Sequence, residues 1–448
     1  MSRLFGTDGV RGLANRDVTA ELALDLAVGA AHVLALRGEF SGPHPRAIVG
    51  RDPRASGEFL SAAVCAGLAS AGVDVIDVGV LPTPAVAYLT GEMNADLGVM
   101  LSASHNPMQD NGIKFFDRHG YKLEDDVEDQ IAAHMGEDWE RPIGANVGRI
   151  TSDLDAVNKY VDHIVETVNY SLSGLRVVVD CAHGAASQVG PEALRRAGAE
   201  VIVIGAEPDG LNINYEYGAT APRRMAAATV GHMAHAGVSF DGDADRCIAS
   251  DEEGNVVDGD KIMGMLALAH AEAGTLKNNT LVTTVMSNLG LKLAMNERNI
   301  DTVQTAVGDR YVLEEMRRNG FSVGGEQSGH VLLSDYSTTG DGVLTALHLL
   351  SRLAEKRVKM SELASDIPSL PQTMINVKDV DKSRATADEG LAAAVRRAEE
   401  QLGATGRVLL RPSGTEPVVR VMVEAATQEQ ADEICQALAD DVKAFLAL

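Results

Sequence analysis

Short apolar runs alternate with stretches of helical period along most of the chain. Leu22, Leu26, Val33 and Leu34 fall near helical spacing behind Thr19, a candidate N-cap. Residues 48–49 read as a strand. Leu60, Val64 and Leu68 follow at i, i+4 and i+8 behind Ser56, and residues 73–78 form the next strand. Thr83-Pro84 predicts an N-cap with proline at the first helical position. Leu97–Leu101 is a buried strand that runs straight into a serine-bearing loop. Helices set between short apolar strands predict a mainly parallel sheet covered on both faces.

After a polar, helix-like stretch around 155–168 the rhythm restarts. Strands at 175–179, 201–204 and 238–240 follow, the last feeding an aspartate-rich loop. A third round has strands at 281–285, 302–305 and 322–323, the last feeding a glycine-rich loop. Each polar loop lies just past the C-terminal end of a strand, where open α/β sheets bind ligands. From about Gln372 the pattern changes. Strands at 374–377, 408–411 and Val418–Glu424 with helices at 385–402 and Gln428–Phe445 predict a small α+β domain. Pro368 and Pro371 mark the linker before it.

A chain of 448 residues exceeds one hydrophobic core, and three or four domains of roughly 100–150 residues are expected. Aromatics make up only 4%, so the cores must come from aliphatic residues and Met. The net charge of −25 argues against nucleic acid or an anionic membrane as partner, since both need a basic surface. Any phosphate substrate would need cations concentrated locally; Arg11, Arg51, Lys114, Arg246, Arg310, Arg411 and Arg420 all stand beside Gly- or Ser-containing turns. The four cysteines show no ligand or redox spacing, and no run approaches the roughly 20 apolar residues of a membrane span. A cytoplasmic protein is expected.

The first loop, Ser102-Ala103-Ser104-His105-Asn106-Pro107, offers a hydroxyl nucleophile or an ordinary capped turn. Lys114 follows closely enough to meet the same phosphate. In the second, Asp241, Asp243 and Asp245 alternate with small residues, so three carboxylates can converge on one hard cation such as magnesium. A solvated acidic turn or a calcium loop are the other readings, although Arg246 stands where a calcium loop needs glycine. The third, Gly325-Glu326-Gln327-Ser328-Gly329-His330, presents groups suited to vicinal hydroxyls, or a plain glycine-rich hairpin; His330 can also move protons. Arg411-Pro412-Ser413-Gly414-Thr415-Glu416-Pro417 with Arg420 has the donors of an anion cradle, or of a β-turn.

In this order, and with Phe5-Gly6-Thr7-Asp8-Gly9-Val10-Arg11-Gly12, Gly50-Arg51-Asp52-Pro53-Arg54 and Val307-Gly308-Asp309-Arg310-Tyr311-Val312, the motifs resemble the α-D-phosphohexomutase superfamily nearly end to end. The resemblance implies three mixed-sheet α/β domains of similar architecture (1–150, 151–255 and 256–368) plus a smaller α+β domain (369–448), arranged around a cleft. Ser104, and not Ser102, would carry a phosphate. Asp241, Asp243 and Asp245 would hold Mg2+ together with that phosphate. Glu326 and Ser328 would read the sugar. Arg411, Ser413, Gly414, Thr415 and Arg420 would hold its distal phosphate, with Arg246 and Arg310 as further substrate contacts. Lys114, Arg11 and His330 would share acid–base work or charge stabilisation.

Gln327, the Phe-Gly-Thr-Asp-Gly opening and the Val-Gly-Asp-Arg-Tyr-Val segment resemble the branch acting on glucosamine phosphates; glucose and mannose phosphates are the alternative. That branch implies exchange of the 6- and 1-phosphates through a bound glucosamine 1,6-bisphosphate, serving amino-sugar and cell-wall precursor synthesis. Met108 and His183 depart from common family residues, at positions given no chemical role. The partner is thus a small sugar phosphate, and the oligomeric state is open between monomer and homodimer.

Overall fold

The computed structural model describes residues 3–6, 8–42, 44–138, 140–385, 387–413 and 418–447. It forms two compact units, Met1–Met286 with Ile300–Asp366, and Ser287–Asn299 with Ile367–Leu448.

The first unit contains three sheets. One has β1 (Val10–Leu13), β2 (Arg46–Arg51), β3 (Asp74–Val80), β4 (Leu97–Leu101), β5 (Asp110–Asp117) and β6 (Ile150–Ser152), in the order β1-β5-β4-β2-β3-β6. The next has β7 (Arg176–Asp180), β8 (Glu200–Ile204), β9 (Ala236–Phe240), β10 (Cys247–Ser250) and β11 (Val256–Val257), ordered β11-β10-β9-β7-β8. The last has β12 (Thr280–Thr284), β13 (Asp301–Thr305), β14 (Val323–Gly325) and β15 (Val331–Leu333), ordered β13-β12-β14-β15.

All three share one device. A strand of the parallel portion delivers a polar loop, and the chain then folds straight back as an antiparallel partner. β4 returns as β5, β9 as β10 and β14 as β15. The sheets are therefore mixed rather than mainly parallel. The return strands escaped the apolar pattern because β10 and β15 are only four and three residues long, while β5 carries Asp, Asn and Lys among its apolar positions. Each polar loop is thus a hairpin connection pinned at both ends by ladder hydrogen bonds, which restricts it more than a strand-to-helix crossover does.

Local capping follows the sequence with one correction. Thr19 caps the helix Ala20–Leu36, accepting from Leu22 N at 3.2 Å. Thr83 does not cap. Pro82 takes the N-cap position, and Thr83 is the first residue of the helix Thr83–Glu92. Its hydroxyl is drawn instead to a buried carboxylate, Asp243 Oδ2, at 2.5 Å.

The second unit is an antiparallel sheet of β16 (Gln372–Lys378), β17 (Arg407–Pro412) and β18 (Val418–Glu424), in the order β16-β18-β17. The helices Glu389–Leu402 and Gln428–Phe445 pack their apolar stripes on it through Leu391, Ala394, Ile434, Leu438 and Val442. The helix Leu289–Glu297 belongs to this unit: Leu289 N donates to Glu424 Oε2 at 2.9 Å. Among the described residues no helix is long and apolar enough to cross a membrane.

In the first unit, helix Ala156–Glu166 meets helix Gly342–Lys356 through one buried polar pair. Tyr160 Oη donates to Asp341 Oδ1 and Oδ2 at 2.9 and 3.0 Å, and Asp341 also caps its own helix through Leu344 N. Burial pushes the Asp341 carboxyl up to about 6, against the pull of the Leu344 N–H and the Tyr160 hydroxyl. A carboxyl with a raised folded pKa loses native stability as pH rises from its unfolded value through about 6, and its donors matter most once it is ionised. Tyr160→Phe should therefore destabilise the fold by about 1–3 kcal/mol at pH 8 and by less at pH 5, as measured by chemical denaturation. An equal or larger loss at pH 5 would contradict this assignment.

Candidate active site

The serine loop is held from beneath by one arginine. Arg54 is only 1% exposed. Its Nε donates to Asp52 Oδ2 at 2.8 Å, and its Nη2 donates to the carbonyls of Ser104 and Asn106, each at 2.9 Å. Its Nη1 reaches the carbonyls of Asp110, at 3.1 Å, and Pro107. Asn214, from the domain of the second sheet, donates to the same Ser104 and Asn106 carbonyls at 2.9 and 3.0 Å. These contacts hold Ser104 in the left-handed region, φ 49°, where a non-glycine residue sits only if its surroundings impose it.

Ser102 and Ser104 have different surroundings. Ser102 Oγ donates to Asp52 Oδ2 at 2.6 Å and accepts from Ser104 N at 2.9 Å, so it braces the turn. Ser104 Oγ faces the aspartate loop and donates to Asp241 Oδ2 at 2.5 Å. That close approach needs a glycine between the first two acids. A Cβ on Gly242 would lie 2.5 Å from the Ser104 carbonyl oxygen.

Asp241, Asp243 and Asp245 are all buried, and their ligand atoms lie within 4.8 Å of one another. Ala244, at φ 56°, turns the chain between the second and third acids. Burial, then the Asp245 and Asp243 charges, pushes the Asp241 carboxyl well above the usual carboxylate range. Burial and Asp245 push Asp243 the same way, but Lys114 and the Thr83 hydroxyl hold it below its ordinary value. Burial also works on Asp245, yet His330, Lys114 and Arg246 hold that carboxyl well down. Asp243 Oδ1 and Asp245 Oδ1 are buried and accept no hydrogen bond. Three converging carboxylates with two unclaimed oxygens fit a hard divalent cation.

Cations ring this cluster. Lys114 Nζ lies 2.8 Å from Asp243 Oδ2, 3.7 Å from Asp245 Oδ2 and 3.3 Å from Asp8 Oδ2. Arg11 pairs with Asp8. Arg246 Nε stands 3.8 Å from Asp245 Oδ1 and makes no hydrogen bond there. His330 Nδ1 is 3.7 Å from Asp245 Oδ1. Burial disfavours its charge, but Asp245 and Asp309 together raise its pKa above the ordinary histidine value. His105 goes the other way, lowered to about 4 by burial and then by Arg246 and Arg11.

In the third loop, Glu326 Oε1 accepts from Gly308 N at 2.9 Å, which ties the loop to the start of helix Asp309–Asn319. Ser328 is exposed. Arg310, expected among the substrate contacts, is turned to Asp125, to Glu314 Oε1 at 3.4 Å and to the Leu123 carbonyl at 3.2 Å. Within the first unit the structure thus brings Ser104, the three acids, Lys114, Arg11, Arg246 and His330 together, while Arg310 lines a cavity with Lys122, Asp309 and His330.

In the second unit, Arg411 on β17 and Arg420 on β18 are direct cross-strand partners. Residues paired directly across two strands share a sheet face. Ser413 is buried, and its carbonyl accepts from Lys382 Nζ at 2.9 Å. Gly414 and Thr415 lie outside the described residues.

Sequence reasoning gave Thr83 only a capping role and assigned none to Arg54, Asp8, Lys122, Asp309 or Asn214. Arg54, Asp8 and Asp309 do stand inside motifs singled out from the sequence, so their segments were visible. Apart from the local pairs Arg54–Asp52 and Asp8–Arg11, their partners come from distant segments, and single-chain spacing carries no trace of such pairings.

Models of the phosphoglucomutase/phosphomannomutase family match almost the whole chain. Alpha/beta/alpha domain I matches residues 2–141, domain II 158–254, domain III 258–370 and the C-terminal domain 374–441. A phosphoglucosamine mutase from Nocardioides sp. is 61% identical over 448 residues, covering 100% of both chains. One from Paenarthrobacter aurescens is 62% identical over 443 residues, covering 99% of this chain and 98% of its own. Among solved structures, a phosphoglucomutase/phosphomannomutase family protein from Burkholderia thailandensis superimposes with a TM-score of 0.80 at 23% identity, covering 99% of this chain and 98% of its own. The Aspergillus fumigatus N-acetylphosphoglucosamine mutase in complex with GlcNAc-6P and magnesium has a TM-score of 0.64 at 18% identity, covering 99% and 96%. At those identities the structural likeness speaks for the fold, while the family models and the full-length relatives speak for descent. The chain belongs to the phosphoglucomutase/phosphomannomutase family.

Proposed function

We propose that the chain interconverts glucosamine 6-phosphate and glucosamine 1-phosphate, with Ser104 as the carrier of the transferred phosphoryl group. The observation that carries this reading is the Ser104 hydroxyl set 2.5 Å from an acid of a buried three-carboxylate cluster. The full-length relatives named phosphoglucosamine mutase support the amino-sugar substrate over glucose or mannose phosphates.

In the reading we favour, Ser104 carries a phosphate at the start. The free 1-hydroxyl of glucosamine 6-phosphate attacks that phosphorus. Its proton leaves to a base, the bond from phosphorus to Ser104 Oγ breaks, and a bound 1,6-bisphosphate results. After the sugar turns, Ser104 Oγ attacks the 6-phosphoryl group, the sugar 6-oxygen takes a proton, and glucosamine 1-phosphate leaves the phosphoserine restored. Such transfers demand positioning and charge neutralisation more than covalent participation.

Lys114, Arg11 and His330 are the groups we assign to proton movement and charge stabilisation, with Arg246 beside them. Asp241, Asp243 and Asp245 would hold Mg2+, which when bound would neutralise charge on the phosphoryl oxygens. Glu326 and Ser328 are assigned to the sugar hydroxyls. Arg411, Ser413, Gly414, Thr415 and Arg420 are assigned to the phosphate not being transferred. A cytoplasmic location fits a soluble sugar phosphate as substrate.

Three outcomes are expected. Ser104→Ala should lower mutase turnover by about 10⁴-fold or more without unfolding the chain, since it removes the carrier itself; a variant retaining a tenth or more of activity, read in a coupled assay, would contradict the carrier role. Measured side by side on the 6-phosphates of glucosamine, glucose and mannose, kcat/KM should be highest for glucosamine, and preference for either other sugar would overturn the substrate assignment. Arg420→Ala should raise KM by about 10-fold or more with a smaller change in kcat, because it removes a charged contact to the phosphate that stays bound. An unchanged KM would take Arg420 out of the clamp.

A further inference from the structure

A short strap follows β5 and packs on helix Asp309–Asn319, which belongs to the domain of the third sheet. The Arg317 guanidinium lies 4.1 Å from the Tyr121 ring centroid and 3.7 Å from Glu124. Arg310 pairs with Asp125 and the Leu123 carbonyl. Lys122, between Tyr121 and Leu123, turns to a different pair of acids. Its Nζ lies 2.6 Å from Asp8 Oδ1 and hydrogen-bonds Asp309 Oδ2.

Both acids lead on to the aspartate cluster. Asp8 also pairs with Arg11, and its Oδ2 is 3.3 Å from Lys114 Nζ, which in turn lies 2.8 Å from Asp243. Asp309 Oδ2 lies 3.9 Å from His330 Nε2, whose other ring nitrogen lies 3.7 Å from Asp245 Oδ1. Two arms of alternating charge therefore start at Lys122. One runs Asp8–Lys114–Asp243, the other Asp309–His330–Asp245. Lys122 Nζ joins the arms at their outer end, and Lys114 Nζ, 3.7 Å from Asp245 Oδ2, joins them again at the cluster.

We propose that Lys122 is a positioning residue for phosphoryl transfer, setting Lys114 and His330 against the acid cluster through Asp8 and Asp309. The proposal rests on the function argued above. The physical reason is charge balance in a poorly solvated place. The side chains of Lys122, Asp8 and Asp309 are only 14%, 21% and 19% exposed, so the two carboxylates are held near one another by a single ammonium. Without it they repel. Asp309 keeps only His330 as a cationic neighbour in this network and draws the ring away from Asp245. Asp8 is left to Arg11 and Lys114 and draws Lys114 from Asp243. Lys122 itself contacts acids and no assigned substrate group, so its loss acts on turnover rather than on binding.

The test uses the full chain with glucosamine 6-phosphate, wild type first. An inactive wild type would strike the proposed function, whereas an active one isolates the role of Lys122. Lys122→Met is expected to lower kcat about 10–100-fold, as outer partners of a charged site do, with KM within about threefold of wild type. Lys122→Arg should recover a large part of that loss. Arg317→Ala, which removes another strap contact without touching Asp8 or Asp309, should stay within about twofold of wild type. A Lys122→Met kcat within twofold of wild type overturns the proposal. So does an equal loss in Arg317→Ala, which would reduce the strap to a latch, or a loss confined to KM. If Lys122→Met does not fold, the isosteric Asp309→Asn decides: a loss of about tenfold in kcat supports the proposal and a change below twofold overturns it.

Discussion

The site depends on a buried guanidinium. Arg54 spends its donors on Asp52 and on the carbonyls of Ser104, Asn106, Pro107 and Asp110. Burying a charge is costly unless it is paired and its donors are satisfied. Here Asp52 supplies the pairing and the loop carbonyls satisfy the other donors, so the loop can adopt only conformations that converge its carbonyls on one point. The left-handed Ser104 follows from that constraint, and the side chain is thereby aimed at Asp241 instead of solvent. Breaking one half of such a buried pair typically costs about 3–5 kcal/mol, more than the roughly 1–3 kcal/mol of strain at a left-handed non-glycine residue.

The second organising feature is local charge. A chain with net charge −25 is ill suited to hold a sugar bisphosphate by its overall field. The cations that matter are instead set among acids: Lys114, Arg11, Arg246 and His330 each stand near an aspartate of the cluster or near Asp8. This arrangement gives the three carboxylates different surroundings, with Asp241 pushed up by burial and its acidic neighbours and Asp245 held down by His330, Lys114 and Arg246. In the separate C-terminal unit, the facing Arg411 and Arg420 concentrate positive charge on one sheet face.

Much of this was legible in the sequence, for definite reasons. The strands before the three loops are short, apolar and followed by polar residues, so 97–101, 238–240 and 322–323 read as strands and placed Ser104, the acids and Glu326 just past strand ends. Thr19 capped as read, because the N–H it accepts from, that of Leu22, lies three residues on in the same helix. Thr83 did not, because a buried Asp243 lies 160 residues away in sequence and nothing near Thr83 hints at it. The return strands β10 and β15 were too short to leave a periodic signal. The pairing of Arg310 with Asp125 is a tertiary fact that nothing near Arg310 hints at. Local chemistry is readable from one chain; the pairing of charges across domains is not.

The central claim is that one hydroxyl, turned by Arg54 and its backbone partners toward the aspartate cluster, carries the phosphoryl group out and back. The most direct measurement is peptide mapping by mass spectrometry after incubating the protein with glucosamine 6-phosphate bearing labelled phosphorus and a trace of the bisphosphate. Label on Ser104 and none on Ser102, whose hydroxyl is committed to Asp52, is the result expected. Label confined to any other side chain, or continued turnover with Ser104 never labelled, would contradict the account.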